Sequence, residues 1–463
     1  MIWTSLDTWI VVAAVLAGAT CALIGSFLVL KKVSMMGDAI SHAVLPGIAV
    51  AFILTGSRAG PVMLLGAALV GVLTAVLVQL IHRHARLEEG ASMGVVFTVL
   101  FAIGLILIEQ AARNVDIHPE HVLFGAVELV PLHVVSLGGW DVPRGVVLLA
   151  VMLVINVVLV VLFFKELRLA TFDPELATAL GINATAVHYV LMVLVAMTTV
   201  AAFEVVGSIL VVAMLIVPGA IAWLLTRRLL PFLIVSVAVS VVAAVVGHIA
   251  AITVPPLFGY ADTSTSGSMA TVLGLFFFLA MLFAPEQGLV ARAWGTARLR
   301  LSIGTQDALG LLARAAEKPE NRDASLSAAE FRGVSRSPFA GRRLRLAAAL
   351  GLLRARGLVA ARGGRYRATE RGAEQGRAVL RSHRLWERFF YDDGKVDLGE
   401  LHTAADVLEH FTDSGLQHEL AERFAGISTD PRGNRIPGET TNPDANRPLE
   451  DRALDDGSQK PRP

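Results

Sequence analysis

Long runs of apolar residues fill the first 285 positions and constrain this chain more than any other feature. Hydrocarbon offers no water to pair with backbone N–H and C=O groups, so an apolar run of about 20 residues reads as a helix crossing ~30 Å of bilayer. Nine such stretches can be marked: Trp9 to Leu30, Ala39 to Leu54, Pro61 to Ile81, Met93 to Ile108, Val146 to Phe164, Val187 to Phe203, Val205 to Leu225, Leu229 to Val254 and Met269 to Ala284. The sixth and seventh form one run too long for a single crossing, and the break is placed at Glu204, Gly207 and Ser208. The first stretch is preceded by Asp7 rather than by a basic residue and is long enough to span, so it reads as a retained helix and not a cleaved leader. The expected fold class is an all-α polytopic membrane protein, with the membrane domain over residues 1–286.

Orientation follows from charge. With the N-terminus outside, Lys31, Lys32, Arg83, Arg86, Lys165, Arg168, Arg227 and Arg228 fall in cytoplasmic loops, and Arg58, Arg113 and Arg144 fall outside, as the positive-inside rule asks. An odd number of crossings then delivers the C-terminal part to the cytoplasm. The composition, 54% hydrophobic and 17% charged, excludes an ordinary soluble protein. The formal net charge of +1 hides an asymmetry, because ionisable residues are sparse up to Pro285 and dense beyond it. The single cysteine, Cys21, excludes a disulfide framework and a thiolate metal cluster. No Gly-x-x-x-x-Gly-Lys-Ser/Thr run occurs, so the chain lacks that phosphate-cradling loop and energy must come from another subunit.

Asp38 and His42 open the second apolar stretch, four residues apart and so on one helical face. Ionisable groups in a membrane segment are costly and mark ion pathways or binding sites. A carboxylate with an imidazole suits Mn²⁺, Fe²⁺ or Zn²⁺. Pro46 and Gly47 are expected to interrupt the helix just beyond and to free carbonyls toward a cavity. An interfacial Asp beside a hydrogen-bonded core His is the plainer alternative on spacing alone. Glu109 and Glu204 sit at outer helix ends, His248 reads as a core histidine, and His118, Glu120, His121, Glu128 and His133 populate an outer loop suited to contact with a binding protein.

The run Gly25-Ser-Phe-Leu-Val-Leu-Lys-Lys-Val-Ser-Met-Met-Gly-Asp-Ala-Ile-Ser-His-Ala-Val-Leu-Pro-Gly47 resembles the signature of permeases in the zinc/manganese/iron class of ABC importers. Gly207-Ser-Ile-Leu-Val-Val-Ala-Met-Leu-Ile-Val-Pro-Gly219 resembles a later core helix of the same family. Phe172-Asp-Pro-Glu-Leu-Ala-Thr-Ala-Leu-Gly181 resembles its coupling segment, the short cytoplasmic helix that docks on the ATPase, with Phe172, Asp173, Pro174, Glu175, Ala177 and Gly181 as the matching positions. The resemblance covers Trp9 to Pro285. It implies that Asp38 and His42 line the metal pathway, and that the partners are an ABC ATPase subunit, an extracytoplasmic metal-binding protein and a second permease copy or sister in a bacterial cell membrane.

Past Pro285 the composition becomes that of a soluble helical domain. Leu344 to Leu353 reads as a helix, Gly357-Leu-Val-Ala as a strand and Arg362-Gly-Gly-Arg-Tyr366 as a tight basic turn, the outline of a winged helix over residues 300–376. Its basic face could meet phosphates, anionic lipid or only solvent. In residues 377–437, His383 and Glu387 are spaced i, i+4, while His402, Asp406, Glu409 and His410 fall at i, i+4, i+7 and i+8. Six nitrogen and oxygen donors without sulfur make a hard-to-borderline metal set. This region, from Ser382-His-Arg-Leu-Trp-Glu387 to Asp430-Pro-Arg-Gly-Asn-Arg-Ile-Pro437, resembles the metal-binding and dimerisation domain of DtxR-like repressors. The resemblance implies ligand roles for His383, Glu387, His402, Glu409 and His410. Asp406 stands where iron-responsive members carry Cys and manganese-responsive members a carboxylate, which favours Mn²⁺, then Fe²⁺. Asp307 is the nearest match to an acidic ligand near the family's first helix. Phe331 to Arg345 departs from the usual recognition helix, so DNA binding stays open. The polar tail, residues 438–463, has a disordered composition.

The function these readings favour is a metal-importing permease with a fused metal sensor. A membrane-tethered transcription regulator would instead need sequence-specific DNA binding, and an ion-coupled secondary transporter would lack neighbouring ATPase and binding-protein genes.

Overall fold

The computed structural model describes all residues except 1–2, 56–59, 113–126, 138–139, 261–262, 319–323, 334–338, 340–342, 395, 398–399 and 439–463. The chain divides into two compact units, Met1–Arg292 and Ala293–Pro463.

The first unit is built of α1 (Ser5–Leu30), α2 (Ser34–Ala43), α3 (Leu45–Thr55), α4 (Gly60–Ala85), α5 (Glu89–Ala112), the hairpin β1 (Val134–Leu137) and β2 (Trp140–Pro143), α6 (Arg144–Leu162), α7 (Phe164–Phe172), α8 (Pro174–Ala179), α9 (Ala184–Val206), α10 (Ser208–Leu225), α11 (Leu229–Thr253) and α12 (Thr265–Phe283). Among the described residues, seven helical spans are long and apolar enough to cross a membrane, with shorter apolar helices at Ala68–His82 and Ile209–Leu225.

Local chemistry sets the helix ends. Thr4 caps α1 reciprocally: the Asp7 carboxylate accepts from the Thr4 amide at 2.7 Å, and the Thr4 hydroxyl accepts from the Asp7 amide, a pairing worth about 1 kcal/mol. The long run after Val187 does break where expected. Gly207, at φ 78°, ends α9 and starts α10, a conformation that costs glycine little and other residues more.

The interruption near Pro46 differs from expectation. The helix breaks earlier, at Val44, whose carbonyl accepts from the Gly47 amide, and Pro46 then sits in the first turn of α3, where a missing N–H costs nothing.

Helix α1 is the hub, packing along α10 and α11. Its small residues permit close approach: a Cβ on Gly25 would fall on the Leu215 carbonyl oxygen. One apolar core gathers Phe27, Ile40, Met192 and Phe232, and a second gathers Ala17, Leu149, Met214 and Leu273. One buried polar pair links two helices, the bond from Asn156 Nδ2 to Thr198 Oγ1 at 2.8 Å.

The second unit contains most of α13 (Leu289–Ala316), then β3 (Ser325–Ser327), α14 (Ala328–Gly333), α15 (Arg343–Ala355), β4 (Val359–Arg362), β5 (Arg365–Ala368), α16 (Glu370–Asp392), α17 (Leu401–Leu408) and α18 (Ser414–Arg423). The strand begins at Val359, two residues after the expected Gly357, because Gly357 at φ 68° terminates the preceding helix. Gly363 and Gly364, both at positive φ, form the two-residue turn between β4 and β5, and β3 pairs with β5 on its other side. Phe331, Phe339 and Leu350 fill the core beneath. Buried Arg384 fastens the C-terminal end of the described unit: its guanidinium donates to Glu317 at 2.6 Å and to the Arg435 carbonyl, and it lies 3.7 Å from Asp430. Arg381 adds a bond to the Pro437 carbonyl at 2.6 Å.

Candidate metal centres

The membrane unit carries Asp38 and His42 on α2, one turn apart, and α2 packs against α5, α9 and α10. Asp38 is half-buried. The His42 side chain lies outside the described residues. An ionisable helix inside an apolar bundle, ended by a break one residue after Ala43, has the form that membrane proteins keep for polar cargo.

Several other ionisable groups of this unit have structural partners. His248 is buried, with Nδ1 3.3 Å from the Thr265 hydroxyl and Nε2 3.3 Å from the Asp7 carboxylate, which agrees with its reading as a core histidine. Glu128 accepts from the Thr265 amide at 2.7 Å, so it braces the start of α12. Glu204 pairs with Arg144 at 3.9 Å, and Glu109 is exposed. His118, Glu120 and His121 lie outside the described residues.

The segment Phe172–Gly181 runs from the last residue of α7 through the short helix α8, which packs against α7 and α9. Asp173 caps α8, its Oδ1 accepting from the Leu176 amide at 2.9 Å, and Pro174 occupies the first turn. Gly181, at φ 83°, closes it. Ala177 is buried, whereas Phe172, Leu176 and Leu180 are exposed. A helix whose backbone ends are satisfied internally can offer its apolar face to a partner.

In the second unit, α16, α17 and the turn that follows α17 bring the six expected donors together. His383 Nε2 lies 2.8 Å from His402 Nδ1 and 3.3 Å from Glu387 Oε1, and His402 Nδ1 is 3.1 Å from the same Glu387 oxygen. On its other side His383 Nδ1 is 2.5 Å from Glu409 Oε2 and 3.4 Å from Asp406 Oδ1. His410 Nε2 is 3.2 Å from Asp307 Oδ1 and 3.7 Å from Glu409 Oε1, while its Nδ1 is 2.8 Å from Gln306 Oε1. Three donor sets therefore fall within reach of a single ion: His383 with Glu387 and His402, His383 with Asp406 and Glu409, and Asp307 with Glu409 and His410.

The electrostatics follow from burial. Burial opposes a charged ring at His383, but hydrogen bonds to Glu387 and Glu409 and the Glu409 charge outweigh it and hold the imidazole up at about 9. Burial would raise Glu387, yet its bonds with His383 and His402 keep its carboxyl well below the usual carboxylate range. His410 is likewise raised, burial being overcome by Asp307 and Glu409. Without an ion, protons neutralise the buried carboxylates. A divalent cation could take their place through nitrogen and oxygen donors alone.

The family model of the ABC 3 transport family matches residues 5–284. The chain belongs to this family. A second model, the iron dependent repressor metal binding and dimerisation domain, matches residues 369–438, which include all six clustered donors. The manganese transport system membrane protein MntD of Bacillus subtilis is 45% identical over 297 residues, 64% of this chain and 98% of that protein. The zinc transport system membrane protein TroD of Treponema pallidum is 35% identical over 294 residues, 64% of this chain and 78% of that protein. Among solved structures, PsaBC from Streptococcus pneumoniae in complex with Fab matches with a TM-score of 0.51 and 30% identity, over 61% of this chain and 94% of that one. As a member of this ABC family, the chain is a multi-pass membrane permease subunit and not an enzyme.

Sequence reasoning missed Gln306, which orients His410, and it gave Asp307 only as a nearest match. Both follow from α13 meeting the turn after α17 at His410, a tertiary contact with no local signal beyond the adjacent Gln-Asp pair. It also missed the carboxylate partners of Arg384.

Proposed function

We propose that this permease forms the membrane path of an ATP-driven importer carrying a divalent transition metal into the bacterial cytoplasm, with Mn²⁺ favoured over Zn²⁺ and Fe²⁺. The observation that carries the reading is Asp38, with His42 one turn on, on a short intramembrane helix broken at Val44 within an ABC 3 family unit. Nine crossings, with the N-terminus outside, account for the loop charges. Two permease subunits, identical or sisters, enclose the path, and an extracytoplasmic metal-binding protein delivers the ion. ATPase subunits grip Pro174–Ala179 through exposed Phe172, Leu176 and Leu180, so that nucleotide-driven closure switches the access of Asp38 and His42. Manganese is favoured by the B. subtilis relative and by a carboxylate at Asp406.

Residues 300–376 act as a winged-helix-like module and 377–437 as a metal sensor, in which His383, Glu387, His402, Asp406, Glu409 and His410 read cytoplasmic metal and adjust transport. The basic hairpin Arg362–Arg365 leaves nucleic acid as a further ligand to assay, with part of the segment Phe331 to Arg345 outside the described residues.

Uptake of radiolabelled Mn²⁺ by cells carrying Asp38→Ala or His42→Ala tests the pathway. Loss of uptake at normal membrane insertion is expected. Unchanged uptake in both variants would remove it.

A further inference from the structure

The turn Thr226–Arg228, between α10 and α11, borders a cavity of about 420 Å³. Its lining is amphiphilic, combining the Arg227 and Arg228 side chains and the Thr226 hydroxyl with the rings of Trp223, Phe232 and Phe172. Arg227 Nε is 3.0 Å from Glu286 Oε2, a contact that orients the guanidinium while leaving its two Nη groups to donate elsewhere. Among the described residues, neither those Nη groups nor the side-chain nitrogens of Arg228 have a recorded partner. Thr226 Oγ1 accepts from the Arg228 amide at 3.4 Å, so its own hydrogen remains available for an acceptor. With Glu286 counted, two positive charges face one negative charge, and the cavity keeps an excess of one cation. Leu229 also lines it, at the start of α11, which has no side-chain cap; the positive end of that helix adds to the same field.

The apolar part of the lining tells which anion fits. Trp223 and Phe172 are about half exposed, 47% and 57%, and neighbouring Leu225 and Leu230 are 43% and 59% exposed at the ends of two membrane helices. Aromatic rings beside arginines at a helix end match the boundary between headgroups and hydrocarbon. A free inorganic anion would use the guanidinium groups and leave the rings idle. A phospholipid uses both, its phosphate on the arginines and its glycerol and upper acyl chains on the aromatics.

We propose that this cavity is a binding site for the phosphate headgroup of an anionic phospholipid of the cytoplasmic leaflet. The lipid phosphate accepts from Arg228, Arg227 and Thr226, while Trp223 and Phe232 receive the apolar part. Because Phe172 ends α7 directly before α8, a seated lipid also steadies the approach to that short helix.

Native mass spectrometry of the purified full-length chain, equilibrated with sub-saturating dioleoyl phosphatidylglycerol or phosphatidylcholine, tests the proposal. The wild type is expected to retain phosphatidylglycerol in preference to phosphatidylcholine, and Arg228→Ala to lower that retention by about fivefold, the loss of one surface arginine contact. Trp223→Ala should lower retention of both lipids, and Arg86→Ala, at an exposed arginine after α4 that does not line the cavity, should change neither. Thr226→Val gives a milder variant if Arg228→Ala does not fold. Equal retention by wild type, Arg228→Ala and Thr226→Val would overturn the site. Protection against thermal unfolding by inorganic phosphate equal to that by phosphatidylglycerol would make it a free-phosphate site. Loss of ATPase co-purification in Arg228→Ala with unchanged lipid retention would make it a protein contact. None of these readings depends on transport, so a failure here leaves the importer reading standing.

Discussion

Glu409 lies between two imidazoles, with Oε2 2.5 Å from His383 Nδ1 and Oε1 3.7 Å from His410 Nε2. One carboxylate thereby belongs to two donor sets, one drawn from α16 and α17 and the other reaching Asp307 on α13. Neither set can exchange its proton for an ion without altering the partner of the other.

Glu409→Gln should therefore weaken Mn²⁺ binding more than Asp406→Ala does. The glutamine keeps the shape but loses the charge shared by both sets, and a loss beyond the about 10- to 100-fold seen for outer partners of metal ligands is expected. Asp406, 44% exposed, sits at the rim and should cost less. Calorimetric titration of the full-length protein with Mn²⁺ would measure both, and a smaller effect at Glu409 would refute the bridging role.

Affinity at this site should climb with pH. His383 is held protonated up to about 9, above its ordinary 6.5, and a metal needs the neutral ring. Between those values each bound ion must expel the His383 proton, so affinity should gain up to about tenfold per pH unit and level off above 9. The metal-free protein should show the opposite sign. The His383 contribution to folding is complete below pH 6.5 and fades as pH rises through 9. Mn²⁺ titrations at several pH values, with His383→Gln as the variant whose slope flattens, decide the matter.

Asp173→Ala removes the cap of α8 and should destabilise that short helix by about 1 kcal/mol. The expected readout is a drop in transport and in transport-stimulated ATP hydrolysis by the assembled complex, with membrane insertion retained. Asp173→Ser, which can still cap, should recover most of the activity. Failure of serine to restore it would point to a direct contact of the carboxylate with the ATPase.

Gly25→Ala places a methyl group against the Leu215 carbonyl, a backbone atom that cannot rotate away. Helices α1 and α10 must then separate, at an expected cost of about 1 to 3 kcal/mol. Thermal unfolding of the detergent-purified protein measures this, and a midpoint equal to wild type would show that the two helices have room to spare.

The parts of this molecule legible in the sequence are those written in local patterns. Apolar length marked the membrane helices, Gly207 marked the break between α9 and α10, and i, i+4 spacing lined up His383 with Glu387 and His402 with Asp406. The misplaced interruption at Pro46 has a local reason too, since proline marks either the end of one helix or the first turn of the next, and here Val44 takes the break. The rest depended on contacts between distant segments. Nothing near Arg384 announces Glu317 or Asp430, and nothing near His410 announces Gln306, because those pairs meet only when separate helices pack. Nor does anything near Glu128 announce that its oxygen holds the Thr265 amide 137 positions away.

The fastening of the second unit's far end by Arg381 and Arg384 fixes where the protein tolerates editing. Among the described residues, those arginines hold the carbonyls of Arg435 and Pro437, so an edit that removes this stretch reaches back to the donor helices. A stop codon introduced before Asp430 would leave the buried Arg384 guanidinium beside His383 with Glu317 as its remaining partner, and a truncation intended to remove only the tail would loosen the ion-reading helices along with it.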